Sequence, residues 1–279
     1  MRNKTIRNIQ NGIIYISLSA IMIILVFPFI WMTSTAFKSS SDIFSAIPTL
    51  IPQPIYLGNF YRMWVESKFY IYVINSVIVA VSTTVIAVFF STLSAYSLAR
   101  FKYKGRALFM NLLLIAQMFP MPLLIISIYI IFVRLALVDS LVGLVIAYCT
   151  FAIPFSIIML KSYFDSLPIE LEESAAIDGC SPLGTIFRIV VPLSAPAITA
   201  TGLFAFILAW QEFLIALTVT RTTEIRTITV AINLMVGFRE IFWGPLMAAT
   251  FTITLPVVVL FVYFQKHFIS GMTLGAVKG

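Results

Sequence analysis

Three carboxylates crowd four positions of this 279-residue chain, Glu170, Glu172 and Glu173, within Ser166-Leu167-Pro168-Ile169-Glu170-Leu171-Glu172-Glu173-Ser174-Ala175-Ala176-Ile177-Asp178-Gly179. Only eleven acidic residues occur in the whole sequence, so this concentration sets the stretch apart. No Ser/His set, catalytic carboxylate pair or metal cluster recommends acid–base or nucleophilic chemistry. The chemistry left for such a stretch is recognition, either by a partner protein or by a membrane surface. A second candidate is Glu212, inside Ala209-Trp210-Gln211-Glu212-Phe213, the clear charge within an apolar run. A carboxylate in hydrocarbon costs roughly 2.5–3.5 kcal/mol on insertion scales, so Glu212 is expected to face a cavity beside Trp210 or to meet a polar partner. The competing reading places it at headgroup level. Cys149, Cys180 and the lone His267 have no spacing that suggests a disulfide or a metal site, and are read as structural.

Local physics predicts how the acidic stretch folds. Pro168 suits a first helical turn, where its missing N–H costs nothing. The glutamates that follow face the positive end of the helix dipole. Gly179 can take the left-handed conformation that stops a helix. Ser181-Pro182 then reads as the cap and first residue of a second short helix, closed by Pro192. Helices this short are marginal alone, so either the flanking segments or a partner must hold them.

The surroundings are a membrane protein. Hydrophobic residues make up 61% of the sequence and charged ones 10%, against about 25% charged in soluble domains. The formal net charge of +7 does not point to nucleic acid, because the basic residues are scattered between apolar runs. Matching charge-free runs to the ~20 residues a bilayer requires gives six expected spans: 13–36, 70–99, 107–133, 141–160, 195–218 and 245–264. The fold class expected is an all-α membrane protein, one domain over 1–279. Its helical loop, 165–192, lies between the fourth and fifth spans, and a tail covers 265–279. Ser34-Thr35-Ala36 resembles a signal cleavage site, but the apolar core before it is too long, so the first span is read as retained.

With the N-terminus inside, eleven basic residues fall in inner segments and seven in outer ones, together the eighteen Lys and Arg of the chain. The cluster Arg100, Lys102, Lys104 and Arg106 beside a span makes the orientation decisive. Both termini and the acidic loop are then cytoplasmic. Pro48, Pro52 and Pro54 argue for an extended, ordered outer connection. The outer segment from Arg221 to Trp243 includes an apolar stretch too short to span, expected to be re-entrant or packed in the external mouth. Within spans two and three, Asn75, Ser76, Ser91, Ser94, Ser97 and Gln117 read mainly as glue between helices, and Pro120 and Pro122 as breaks.

Glu173-Ser174-Ala175, Gly179, Ile189 and Pro192 resemble the EAA loop of ABC-importer permeases: Glu-Ala-Ala, three residues, Gly, nine residues, Ile, one residue, Leu, Pro. The spacing is kept, with Ser174 for the first Ala and Val191 for Leu. Residues 209–213 are similar to the Trp-Asn-Glu-Phe stretch of maltose-transporter-type permeases, with Gln211 for Asn. The ending from Gln265 to Gly279 is similar to that subfamily's C-terminus. The resemblance implies a heterodimer with a second homologous permease, two ATP-binding subunits that hold ATP and Mg, and an extracytoplasmic sugar-binding protein. It implies no cofactor on this chain. By the same likeness Glu172, Glu173, Ser174, Ala175, Asp178, Gly179 and Pro192 couple to the ATPase. Trp210, Gln211 and Glu212 belong to the substrate pathway, and the tail residues Gly271, Thr273, Gly275 and Lys278 reach the ATPase.

One part stands without the resemblance. No Gly-x-x-x-x-Gly-Lys-Ser/Thr phosphate loop is present, so the chain carries no ordinary P-loop ATPase. The expectation is a permease subunit of a binding-protein-dependent sugar importer, not itself an enzyme. An ion-coupled secondary carrier is the alternative, thinly supported by one intramembrane glutamate. A membrane enzyme or scaffold is the third reading.

Overall fold

The computed structural model describes residues 2–237 and 241–276, and the side chains of 11–237 and 241–265. The described residues are almost wholly helical. In chain order come α1 (Arg2–Ala36), α2 (Ser40–Ile43) and α3 (Gly58–Tyr61), the last continued by a π-helical turn over Arg62–Glu66. Then follow α4 (Phe69–Arg100), α5 (Arg106–Met118), α6 (Met121–Arg134), α7 (Leu141–Phe164) and α8 (Glu170–Ile177). α9 (Pro182–Thr185), a second π-helical turn (Ile186–Val190) and α10 (Val191–Leu193) lead into α11 (Ala195–Gln211). α12 (Leu214–Val219), α13 (Ile228–Met235) and α14 (Trp243–Ala276) complete the order.

Among the described residues, α1, α4, α7 and α14 are each long and apolar enough to cross a membrane. Two bent pairs bring the number to as many as six if each counts as one span. The expected third span, 107–133, is one of them: α5 and α6 meet at 103°. Pro120 is the physical cause. It has no N–H to give, its ring would clash with the carbonyl four residues back in a continuous helix, and Phe119 before it is extended at φ −73°, ψ 124°. The expected fifth span, 195–218, is also not continuous. α11 stops at Gln211, Glu212 is extended, and α12 starts again at Leu214.

Contacts divide the chain into two compact units, residues 1–69 with 234–254, and 70–233 with 255–279. In the first, every residue of α1 from Ile13 to Trp31 is exposed, an apolar surface suited to lipid or to a partner helix. The connection after α1 is held by polar groups turned inward. Lys38 is buried, bonds the Thr49 carbonyl through Nζ, and lies 4.8 Å from the centre of the Trp31 ring. The Asn59 amide donates to the carbonyls of Ala36 and Lys38 at 2.9 and 2.8 Å. Phe37, Phe60 and Phe251 form a three-ring cluster beside them.

In the second unit, the fully buried Ala87, Ala152 and Ala205 let α4, α7 and α11 approach closely, as small residues do between membrane helices. Leu98, Leu113, Leu160 and Phe164 share one apolar cluster with Ile186 and Val190 of the segment after α8. At the other end of α4, the Asn75 amide donates to the carbonyls of Glu224 and Arg226, and Ser76 Oγ accepts the N–H of Ile228. Both tie α4 to the backbone of the 224–228 connection and not to a neighbouring span. α13 buries Ile228, Val230 and Ala231 and is too short to span.

Asp139, between α6 and α7, accepts the N–H groups of Arg221 and Thr222 on one oxygen, at 2.8 and 3.0 Å. Partial burial works to raise its carboxyl, but those N–H donors, the Thr222 side chain and the Arg221 charge outweigh it and hold the group below the ordinary carboxylate value. The carboxylate's contribution is therefore complete above the unfolded value of about 3.9 and is lost as pH falls below it. Asp139→Asn is expected to cost about 0.5–1 kcal/mol at neutral pH. In thermal melts of detergent-solubilised protein, the gap between variant and parent should close below about pH 4.

Candidate functional site

α8 is built by its ends. Ile169, not Pro168, stands at its N-terminus, and Pro168 lies one residue further out in the turn. Glu170, Glu172 and Glu173 occupy the first turn, where unpaired N–H groups favour negative charge. At the C-terminus Gly179 has φ +82°. Cys180 N–H reaches the Ala175 carbonyl at 2.9 Å and Gly179 N–H the Ala176 carbonyl at 3.1 Å, a Schellman closure. Ser181 Oγ caps α9 by accepting Gly184 N–H at 3.2 Å, and Pro182 opens that helix. Contrary to the expectation from sequence, Pro192 does not close the helix. Helical backbone runs on to Leu193, and the 84° turn into α11 comes at Ser194. The π-helical turn at Ile186–Val190 lies just before the proline, widening the backbone where its ring and missing N–H disturb the α pattern.

The two adjacent glutamates point apart. Glu172 and the buried Ala175, three residues on, share the inner face of α8. Glu173, Ala176 and Ile177 are exposed on the outer face, Ile177 at 86%. Glu172 is tied to the end of α4: Arg100 Nε meets its Oε1 at 2.7 Å and the Tyr96 hydroxyl donates to its Oε2 at 2.8 Å. Arg100 Nη2 also donates to the Leu167 carbonyl at 3.1 Å, and the two charged side chains are each only 10% exposed. The acidic helix is thus held by its own chain. Ser174, the departure from Glu-Ala-Ala, is exposed and donates back to the Glu170 carbonyl at 2.8 Å, so it alters the helix surface little. Asp178 is the exposed C-cap, and Pro192 is exposed.

Glu212 takes the second of its two expected arrangements, buried against polar partners. Trp210 and Glu212 are 4% and 8% exposed, and Trp210 stacks on Phe206 with ring centres 5.5 Å apart. Both carboxylate oxygens of Glu212 turn onto α12, accepting the N–H groups of Ile215 at 2.8 Å and Ala216 at 3.1 Å. Its carbonyl accepts the Thr229 hydroxyl at 2.7 Å. The physical reason is the break itself: interrupting a span frees backbone donors, and a carboxylate satisfies them at the new N-terminus. Gln211 is the exposed member of the three. Since the carboxylate is taken up by its own backbone, the support it lends an ion-coupled carrier falls away.

In the tail, α14 carries helical backbone through Gly271, Thr273 and Gly275 to Ala276. Lys278 lies outside the described residues. Sequence reasoning missed Tyr96 as a functional residue and read Arg100 only as a topology signal. They lie 76 and 72 residues from Glu172, so no local spacing joins them.

The family pattern described as binding-protein-dependent transport system inner membrane component matches residues 87–274. The chain is 38% identical to the diacetylchitobiose uptake system permease protein DasC of Streptomyces coelicolor, over 91% of this chain and 92% of that one. It is 36% identical to the trehalose/maltose transport system permease protein MalG of Thermococcus litoralis, with both chains covered in full. Its fold matches, at a TM-score of 0.83, a chain in the crystal structure of a bacterial ABC transporter involved in import of the acidic polysaccharide alginate. The match covers 96% of this chain and 98% of that one at 21% identity, a likeness of fold.

Glu212→Ala should strand two backbone donors in an apolar setting and cost about 1–3 kcal/mol. Glu212→Gln keeps one acceptor and turns an NH2 toward the other N–H, so it should fall between Ala and parent. Thermal unfolding of the purified protein measures this; three equal midpoints would contradict the capping role.

Proposed function

Since this chain belongs to the family of binding-protein-dependent transport system inner membrane components, we propose that it is a permease subunit of an ABC sugar importer. The names of its relatives, a diacetylchitobiose uptake permease and a trehalose/maltose permease, support a sugar as cargo. The observation that carries the mechanism is the two-faced α8. Its inner face is fastened to the bundle, and its outer face offers Glu173 and Ile177 to a partner.

In this reading the loop 165–192 is cytoplasmic and docks in a cleft of one of two ATP-binding subunits. Those subunits hold ATP and Mg and perform hydrolysis; this chain carries no cofactor. Glu173 meets a basic residue there while Ile177 covers apolar surface. The tail residues Gly271, Thr273, Gly275 and Lys278 approach the same subunit. A second homologous permease completes the pathway, with the exposed apolar face of α1 against it or against lipid, and Gln211 faces that pathway. An extracytoplasmic sugar-binding protein delivers cargo on the opposite side. Closure of the ATP-bound dimer pulls the loop, and the spans switch between inward-open and outward-open arrangements.

Removing one partner of a partly desolvated charge pair costs roughly 2–5 kcal/mol, and about 1.4 kcal/mol is a tenfold change in binding. Glu173→Arg adds repulsion, so it should weaken association with the ATP-binding subunits by well over tenfold. Co-purification from membranes, followed by hydrolysis in proteoliposomes, reads the effect. Full assembly and full stimulation by the binding protein in this variant would overturn the docking role.

A further inference from the structure

α4 is fastened by side chains at both of its ends, to segments remote from it in sequence. At its C-terminal end Tyr96 and Arg100 hold Glu172 and the Leu167 carbonyl, using both carboxylate oxygens and two guanidinium nitrogens. Near its N-terminal end Asn75 donates to the Glu224 and Arg226 carbonyls at 2.7 and 3.0 Å, and Ser76 accepts Ile228 N–H at 2.9 Å. Asn75 and Arg100 lie on one helix, described as continuous from Phe69 to Arg100. At 1.5 Å per residue the two attachments are about 37 Å apart, comparable to the roughly 30 Å hydrocarbon core of a bilayer. Chain connectivity ties the 165–194 segment directly to α7 and α11. α4 joins it through the clamp and through packing of its last turns, where Leu98 shares a cluster with Ile186 and Val190.

We propose that α4 is a transmission rod: the clamp of Tyr96, Glu172 and Arg100 passes movement of the docking loop into α4. Asn75 and Ser76 pass it on to the 224–228 segment at the other face. The proposal rests on the reading that α8 docks on an ATP-binding subunit. These five side chains are positioning residues. They act by position, deciding whether an event on one face is felt on the other. The division of labour on α8 follows, Glu173 holding the partner and Glu172 holding the rod. Two hydrogen-bonded ends on one stiff helix form a contiguous physical path of the kind that can carry energetic coupling between remote sites.

The test uses the assembled transporter in proteoliposomes with its binding protein. Glu172→Gln, which keeps the side chain's shape, should retain the ATP-binding subunits at the parent ratio. Stimulation of hydrolysis by the binding protein should nevertheless fall about fivefold or more. Asn75→Ala, at the far end, should do the same, and Tyr96→Phe, which removes one hydrogen bond, should lie between. Because both ends act through one rod, the Glu172→Gln/Asn75→Ala double variant should be no worse than the weaker single, whereas independent effects would multiply. Full stimulation in Glu172→Gln, multiplying losses in the double variant, or loss of the ATP-binding subunits from Glu172→Gln would each overturn the rod. Failure of the parent chain itself to co-purify with those subunits would instead overturn the docking reading beneath it.

Discussion

The ion pair between Arg100 and Glu172 joins two parts of the chain that sequence leaves far apart, and the attitude of the acidic loop depends on it. Both partners are nearly buried, so each charge relies on the other and on Tyr96 and the Leu167 carbonyl. A half-satisfied version would leave a stranded charge, which is why such a pair specifies geometry more than it adds stability. Once Glu172 is committed inward, helical spacing turns Glu173 and Ile177 outward. A helix of eight residues, marginal alone, becomes a rigid feature because one face is bolted down.

The same economy of polar groups governs the breaks within the apolar segments. Proline separates α5 from α6, and no side chain caps the start of α6, where Pro120 and Pro122 reduce the number of free N–H groups. The break between α11 and α12 has no proline and exposes real donors, and there a buried glutamate takes them. A charge that stands out in a linear reading caps a helix in three dimensions. Its cost in hydrocarbon is offset by charge-assisted hydrogen bonds to the very backbone that the break released.

The surface of the chain is the reverse of a soluble protein's. Ile13 to Trp31 is exposed throughout, while Lys38, Asn59, Asn75 and Ser76 are buried with their partners. Such a surface is stable only against lipid or other apolar helices, so a membrane and an assembly are implied by packing as well as by kinship. Inside, Ala87, Ala152 and Ala205 bring α4, α7 and α11 together, between the two sets of polar attachments on α4.

Much of this protein is determined locally and is legible in its residues. Long charge-free runs place α4 and α7 to within about a turn at their ends, whereas α1 and α14 run on beyond the expected spans. Gly179 stops α8 because a left-handed residue is needed there, and Ser181 starts α9 because a hydroxyl can take a free N–H. These outcomes depend on a few neighbouring residues, and so do the glutamates' place in the first turn of α8. Only the tertiary structure decided what each carboxylate does. Glu172 and Glu173 are the same residue type one position apart, and their roles separate because Arg100 and Tyr96, more than seventy residues upstream, approach one face of the helix. Glu212 became a cap because α11 ends one residue before it, leaving the N–H groups of Ile215 and Ala216 for its carboxylate. The bend at Pro120 was foreshadowed by residue type, but its 103° angle was not, since a proline removes a hydrogen bond without dictating where the freed segment will pack.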